Sequence, residues 1–121
     1  FNPKAMKTIL FLALTTILST NNFTEKNNKV SIQQFIEAIE SEDFELVENA
    51  LKSRMISANQ KFNGKTLLIY AVISDKAEMI NLLVRYGANL NTPADDGLTP
   101  MEYAEKLNKI YAKAEIIVIT A

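Results

Sequence analysis

One segment of this chain is written almost twice. From Asn63 the sequence runs NGKTLLIYAVISDKAEMINLLVRYGANLN, and a second copy opens at Asp96 as DGLTPMEYAEK. Gly64 and Gly97, Thr66 and Thr99, Tyr70 and Tyr103, and Ala71 and Ala104 are each 33 residues apart. Four matches that share one offset define a period. A period of this length marks a supersecondary unit that cannot bury its apolar face alone and stacks on its neighbours.

Local signals within each copy spell helix, turn, helix. Thr66 starts a short helix with Leu68, Ala71 and Val72 inward, Asp75-Lys76 turns the chain, and Met79, Ile80, Leu82, Leu83 and Val84 line a longer helix closed by Gly87. The last copy has Thr99 as cap and Pro100 at the first helical position. Its tail, Ile116 to Ile119, is β-branched, which taken alone favours a strand. Its place in the repeat predicts a helix instead, because packing on the preceding helix supplies most helical stability.

An earlier, divergent copy precedes these two. Ser31 is placed to cap a helix with Ile32, Phe35, Ile36 and Ile39 on one face, and after Ser41-Glu42-Asp43 a second helix buries Phe44, Val47, Ala50 and Leu51. The offset of 33 lays Ala38 on Ala71, Glu45 on Glu78 and Val47 on Ile80. Its carboxylates Glu37, Glu40, Glu42, Asp43, Glu45 and Glu48 suit a solvated end. Arg54 stands where the next copy has Gly87, so the connection over 52–62 is expected to be built differently, as an ordered loop with Met55 and Ile56 tucked against the helices.

Thr99-Pro100-Met101-Glu102-Tyr103-Ala104, the weaker Thr66-Leu67-Leu68-Ile69-Tyr70-Ala71, and Gly87-Ala88-Asn89-Leu90-Asn91 together resemble the ankyrin repeat family, whose T-P-L-H-x-A signature recurs with this period. The signature His is Ile69 in one copy and Glu102 in the other, and Leu67 replaces the usual Pro. The resemblance implies an all-α solenoid of helix-turn-helix repeats with exposed β-turn loops. The repeat domain would run over 31–121, with a divergent N-terminal repeat at 31–62, a central repeat at 63–95 and a C-terminal repeat at 96–121.

The start of the chain reads differently. Met6-Lys7, the apolar run Thr8 to Leu18 and the polar Ser19-Thr20-Asn21-Asn22 are the three parts of a secretory signal peptide. The run is shorter than the roughly 20 apolar residues that cross a bilayer. Residues 1–21 are therefore read as upstream residues plus signal, with Met6 as the start, and 22–30 as a flexible polar leader. Cleavage between Leu18 and Asn22 would leave 11 basic and 14 acidic residues, a net charge of −3. That balance repels phosphate backbones and speaks against nucleic acid as a partner. The expected address is periplasmic or secreted, with no membrane attachment after cleavage; with no Cys to carry a lipid, a lipoprotein is excluded.

Catalytic chemistry finds little to work with. The chain contains neither Cys nor His, which removes thiolate nucleophiles, disulfides, the best transition-metal ligands and catalytic triads. Two carboxylate pairs, Glu40 with Asp43 and Asp95 with Asp96, could act as acid and base only if one member were desolvated. The first falls on a solvated helix end and the second on an exposed turn. Nor do the carboxylates follow the spacing of a calcium loop. The sequence predicts no enzyme, no metal and no cofactor.

Binding is the better reading. Repeated Tyr70 and Tyr103 are expected to pack structurally. In ankyrin-like proteins the aligned turns and short helices grip another protein, and the resemblance places that strip at Gln60, Lys61, Phe62 and Lys65 on one turn, Ile73 and Ser74 at a helix end, and Asp95, Asp96 and Leu98 on the next turn. Phe62, Ile73 and Leu98 are candidate apolar anchors amid charged neighbours; the bland alternative is that Phe62 and Leu98 pack between adjacent turns. The expected molecule is a monomer that binds a protein partner. A competing expectation is a periplasmic accessory or inhibitor of an enzyme that folds fully only with that enzyme, since about three repeats is the lower limit for independent stability.

Overall fold

Three caps and three reversals organise the computed structural model, which describes residues 31–121. The expected signal segment and leader lie outside the described residues. Helices pair as α1 (Ile32–Glu40) with α2 (Phe44–Lys52), α3 (Leu67–Ile73) with α4 (Ala77–Arg85), and α5 (Pro100–Lys106) with α6 (Ile110–Thr120). A two-stranded antiparallel hairpin, β1 (Lys61–Phe62) and β2 (Lys65–Thr66), leads into α3.

The period holds in the main chain more strictly than in the side chains. Glu42, Asp75 and Asn108 all adopt left-handed φ, at 60°, 58° and 58°. Around them the same bonds recur at the same offset: the N–H groups of Ser41, Ser74 and Leu107 donate to Glu37, Tyr70 and Tyr103, and those of Asp43, Lys76 and Lys109 donate to Ala38, Ala71 and Ala104. Three different residue types thus make one reversal. A left-handed Cβ costs roughly 1 kcal/mol, and satisfying the freed helix-end carbonyls offsets it.

The end of the second helix is equally conserved in geometry. Gly87 closes α4 at φ 102°, and Arg54 closes α2 at φ 64°. Gly87 donates to Val84 and Ala88 to Leu83, just as Arg54 donates to Leu51 and Met55 to Ala50. The expectation of a differently built connection therefore fails at the helix end. It holds at the turn beyond. Asn63 and Gly64, both at positive φ, form the two-residue loop of the β1–β2 hairpin, as a type I′ turn requires. One period later Ala94 and Leu98 are bridged across the three residues Asp95-Asp96-Gly97. Of the two residues expected to tuck in, Ile56 does and Met55 does not: Met55 is 50% exposed, where the smaller Ala88 one period later is buried.

Packing follows from columns of equivalent residues. α3 lies between α1 and α5, and α4 lies between α2 and α6. Ala38, Ala71 and Ala104 are all buried, and their small side chains let the short helices approach closely. Ile36 and Ile69 are buried where Glu102 is exposed, and Ile39 and Val72 are fully buried where Glu105 is exposed. These positions face the following repeat, so the third repeat carries charge on that side. At the other end Ile32, expected on the buried face of α1, is 43% exposed at the helix's first position.

Caps account for most helix starts. Thr66 and Thr99 accept from the N–H groups of Ile69 and Glu102 at 3.2 Å, and Glu102 returns the bond to Thr99 as a capping box. Asp43 accepts from Leu46 at the start of α2. Lys109 offers α6 no side-chain cap; Asp75, one repeat earlier, does so instead, accepting from the Ala112 N–H at 2.8 Å. α6 is helical through its β-branched tail, as its position in the repeat predicts.

Candidate partner-binding surface

The turns of the second and third repeats are tied to each other by main-chain and charged bonds. The Asp95 N–H donates to the Gly64 carbonyl at 2.8 Å, and the Lys61 ammonium lies 3.1 Å from the Asp95 carboxylate. Both charged groups are exposed, so the pair itself contributes under about 1 kcal/mol. Its value is geometric: it fixes where the two turns sit. Between them lies a depression of ≈ 250 Å³ lined by Asn63, Gly64, Lys65, Ala94, Asp95, Asp96 and Tyr103. Gly64 cannot be replaced there without conflict. A Cβ at its φ of +83° would meet the Asp95 carboxylate at 3.0 Å.

Two tyrosines support this ledge from beneath. The Tyr70 hydroxyl donates to the Phe62 carbonyl at 2.8 Å, and the Tyr103 hydroxyl donates to the Asp96 carboxylate. That second bond holds the Asp96 carboxyl below the usual range, with help from the Leu98 N–H, and it pushes the Tyr103 hydroxyl up to about 12. Lys65 reaches over the Tyr70 ring, 5.9 Å from its centre, at the outer limit of a cation–π contact.

The nine residues proposed from the sequence divide into three groups. Lys61, Lys65, Asp95 and Asp96 come together around the depression, and Leu98, half-buried, closes the second turn by accepting from Ala94. Gln60 is exposed beside them and accepts from the Ser57 N–H at 3.2 Å. Ile73 and Ser74 are half-buried at the far end of α3, where Ser74 caps the helix; neither lines the depression. Phe62 is the correction. It is 5% exposed, and its ring stacks on Phe35 of α1 with centroids 6.2 Å apart, so it is a core residue and not a free anchor. The alternation of β1 turns Phe62 inward and Lys61 outward.

Sequence reasoning passed over two asparagines. Asn63 shapes the hairpin tip, and the Asn63-Gly64 pair is itself the strongest short hairpin signal. Asn59 clamps the next repeat, donating to the Gly87 carbonyl at 3.0 Å and accepting from the Asn89 N–H at 2.7 Å. Only the fold could pair positions 28 and 30 residues apart.

Neither carboxylate pair is set up as acid and base. Glu40, Asp43, Asp95 and Asp96 are all exposed, and Asp43 is occupied as a helix cap. The Asp96 shift favours the ionised form, opposite to what a proton donor needs. Among the described residues no acidic group is arranged to hold a metal ion, and no helix is long and apolar enough to cross a membrane.

Comparison with known proteins agrees with the architecture. The sequence pattern that defines three consecutive ankyrin repeats matches residues 35–117. A protein of Rickettsia bellii (strain RML369-C) named for its ankyrin repeats is 31% identical over 107 residues, covering 84% of this chain. Protein glp-1 of Caenorhabditis elegans is 40% identical over 48 residues, 40% of this chain. The chain spans 15% and 4% of the lengths of these two relatives.

Proposed function

Because this chain belongs to the ankyrin repeat family, a family of protein–protein interaction modules, we propose that it acts without catalysis, as an exported module that holds a protein partner on its turn edge. The observation that carries the reading is the fixed link between adjacent turns, Asp95 N–H to Gly64 carbonyl with Lys61 against Asp95. It presents Lys61, Lys65, Asp95 and Asp96 as one rigid polar ledge with Leu98 half-exposed beside it. Preorganised polar groups around an apolar contact lower the ordering cost of association.

Affinity capture from an envelope fraction tests the ledge. A protein recovered by the wild-type chain should be lost with Lys65→Glu combined with Leu98→Ala; equal recovery would remove the turn edge from consideration. Export rests on the signal-like start, Met6 to Asn22. The chain isolated from cells should begin between Leu18 and Asn22, whereas a cytoplasmic chain still starting at Met6 would refute export.

A further inference from the structure

The opposite side of the array, made by the second helix of each repeat, carries a pattern that stacking does not explain. On α2 the outward positions hold Glu45 and Lys52, and on α4 they hold Glu78 and Arg85; all four are exposed. One period further, α6 places Tyr111 at 65% exposure and Val118 at 67%. α4 has a helix packed on each side and still leaves Glu78 and Arg85 in solvent. A further repeat beside α6 would therefore leave Tyr111 and Val118 bare. Together they put an aromatic ring and an isopropyl group in solvent where the other two repeats place charge, an apolar spot on an otherwise charged face.

This patch borders a groove of ≈ 460 Å³ between α2, α4 and α6. Phe44 and Leu82 give the groove its apolar lining, and Glu48, Glu78 and Glu115 share it with Arg85; Glu48 is paired with Lys52 at 3.9 Å and accepts from the Tyr86 hydroxyl, and Glu115 accepts from the Asn81 amide at 3.2 Å. Arg85 is already turned to Asn81 at 3.0 Å, and Glu78 has no hydrogen-bond or ion-pair partner among the described residues. Tyr111 and Val118 lie one turn before and after Glu115, on its side of α6. Apolar stripe and acidic groove are thus one continuous surface.

We propose that this surface docks an amphipathic basic helix of another protein. Tyr111 and Val118 are two turns apart, the spacing at which a helix laid alongside repeats its own anchors. A lysine or arginine flanking those anchors would meet Glu78, whose carboxylate has no partner among the described residues, with Glu48 and Glu115 beside it. The charge also disfavours a second copy in the same place, because back-to-back pairing sets acidic groove against acidic groove.

The test uses the full chain and two synthetic amphipathic helices that share a leucine face, one with lysines and one with glutamates on the other face, read by fluorescence anisotropy. The lysine helix should bind at least about tenfold tighter than the glutamate helix, and its affinity should fall with salt. Val118→Arg, which restores the residue type of the other two repeats, should weaken binding about tenfold or more. Glu78→Lys should weaken it as well. Both substituted side chains on the back are exposed, so folding by circular dichroism should match the wild type. Equal binding of the two helices, or unchanged binding by Val118→Arg, overturns the proposal. So does concentration-dependent self-association that Val118→Arg abolishes, which would give the face to a second copy.

Discussion

Arg54 shows how far one residue can depart from its column without changing the backbone. It holds the left-handed conformation that Gly87 supplies one repeat later, and its side chain is exposed. Arg54→Gly should raise the free energy of unfolding by up to about 1 kcal/mol, the strain of a left-handed Cβ less the added entropy of the unfolded glycine. An unchanged or lower urea midpoint would refute this. Tyr103 and Asp96 make a pH-dependent pair. The Tyr103 hydroxyl ordinarily titrates at 10.0 and is raised to about 12, so its contribution is complete below 10 and fades as pH climbs through 12. The Asp96 carboxyl ordinarily titrates at 3.8 and is lowered, so its contribution is complete above that value and fades as pH falls through the folded one. Stability measured against pH should carry both flanks, and Asp96→Asn should flatten them; identical profiles would show that the bond contributes nothing.

Among the elements, α6 depends most on its neighbour. Its own cap position, Lys109, provides no side-chain bond, and Asp75 of the preceding repeat fills that role. Asp75→Ala should cost about 1 kcal/mol and speed amide exchange at Ala112 and Lys113 while the amides of α4 stay protected. Uniform exchange across both helices would instead place the effect in the left-handed turn. This element also shows what the sequence could and could not say. The helix was legible from position in the repeat, despite its β-branched tail, and the caps Thr66 and Thr99 were legible as residue types. Phe62 was not, because strand alternation over two residues leaves no periodic signal. The Asn59 clamp and the Asp75 cap were not either, since each joins residues that only stacking brings together. The divergence read at Arg54 was a divergence of side chain, invisible in the main-chain bonds.

Across the whole molecule, stability resides between repeats. Ile69 is fully buried, in the column that faces the following repeat. Ile69→Ala should cost about 2–5 kcal/mol and should move a single unfolding transition without splitting it, as coupled neighbours require. Two transitions in calorimetry would mean that the repeats melt independently. One further consequence follows from the left-handed residues at Glu42, Asp75 and Asn108. Because each copy passes the same torsions at equal intervals, a crossover that cuts two copies at that point rejoins the strand to itself without a shift. Such an array can gain or shed whole units by recombination, and the junction should fold as readily as the parents.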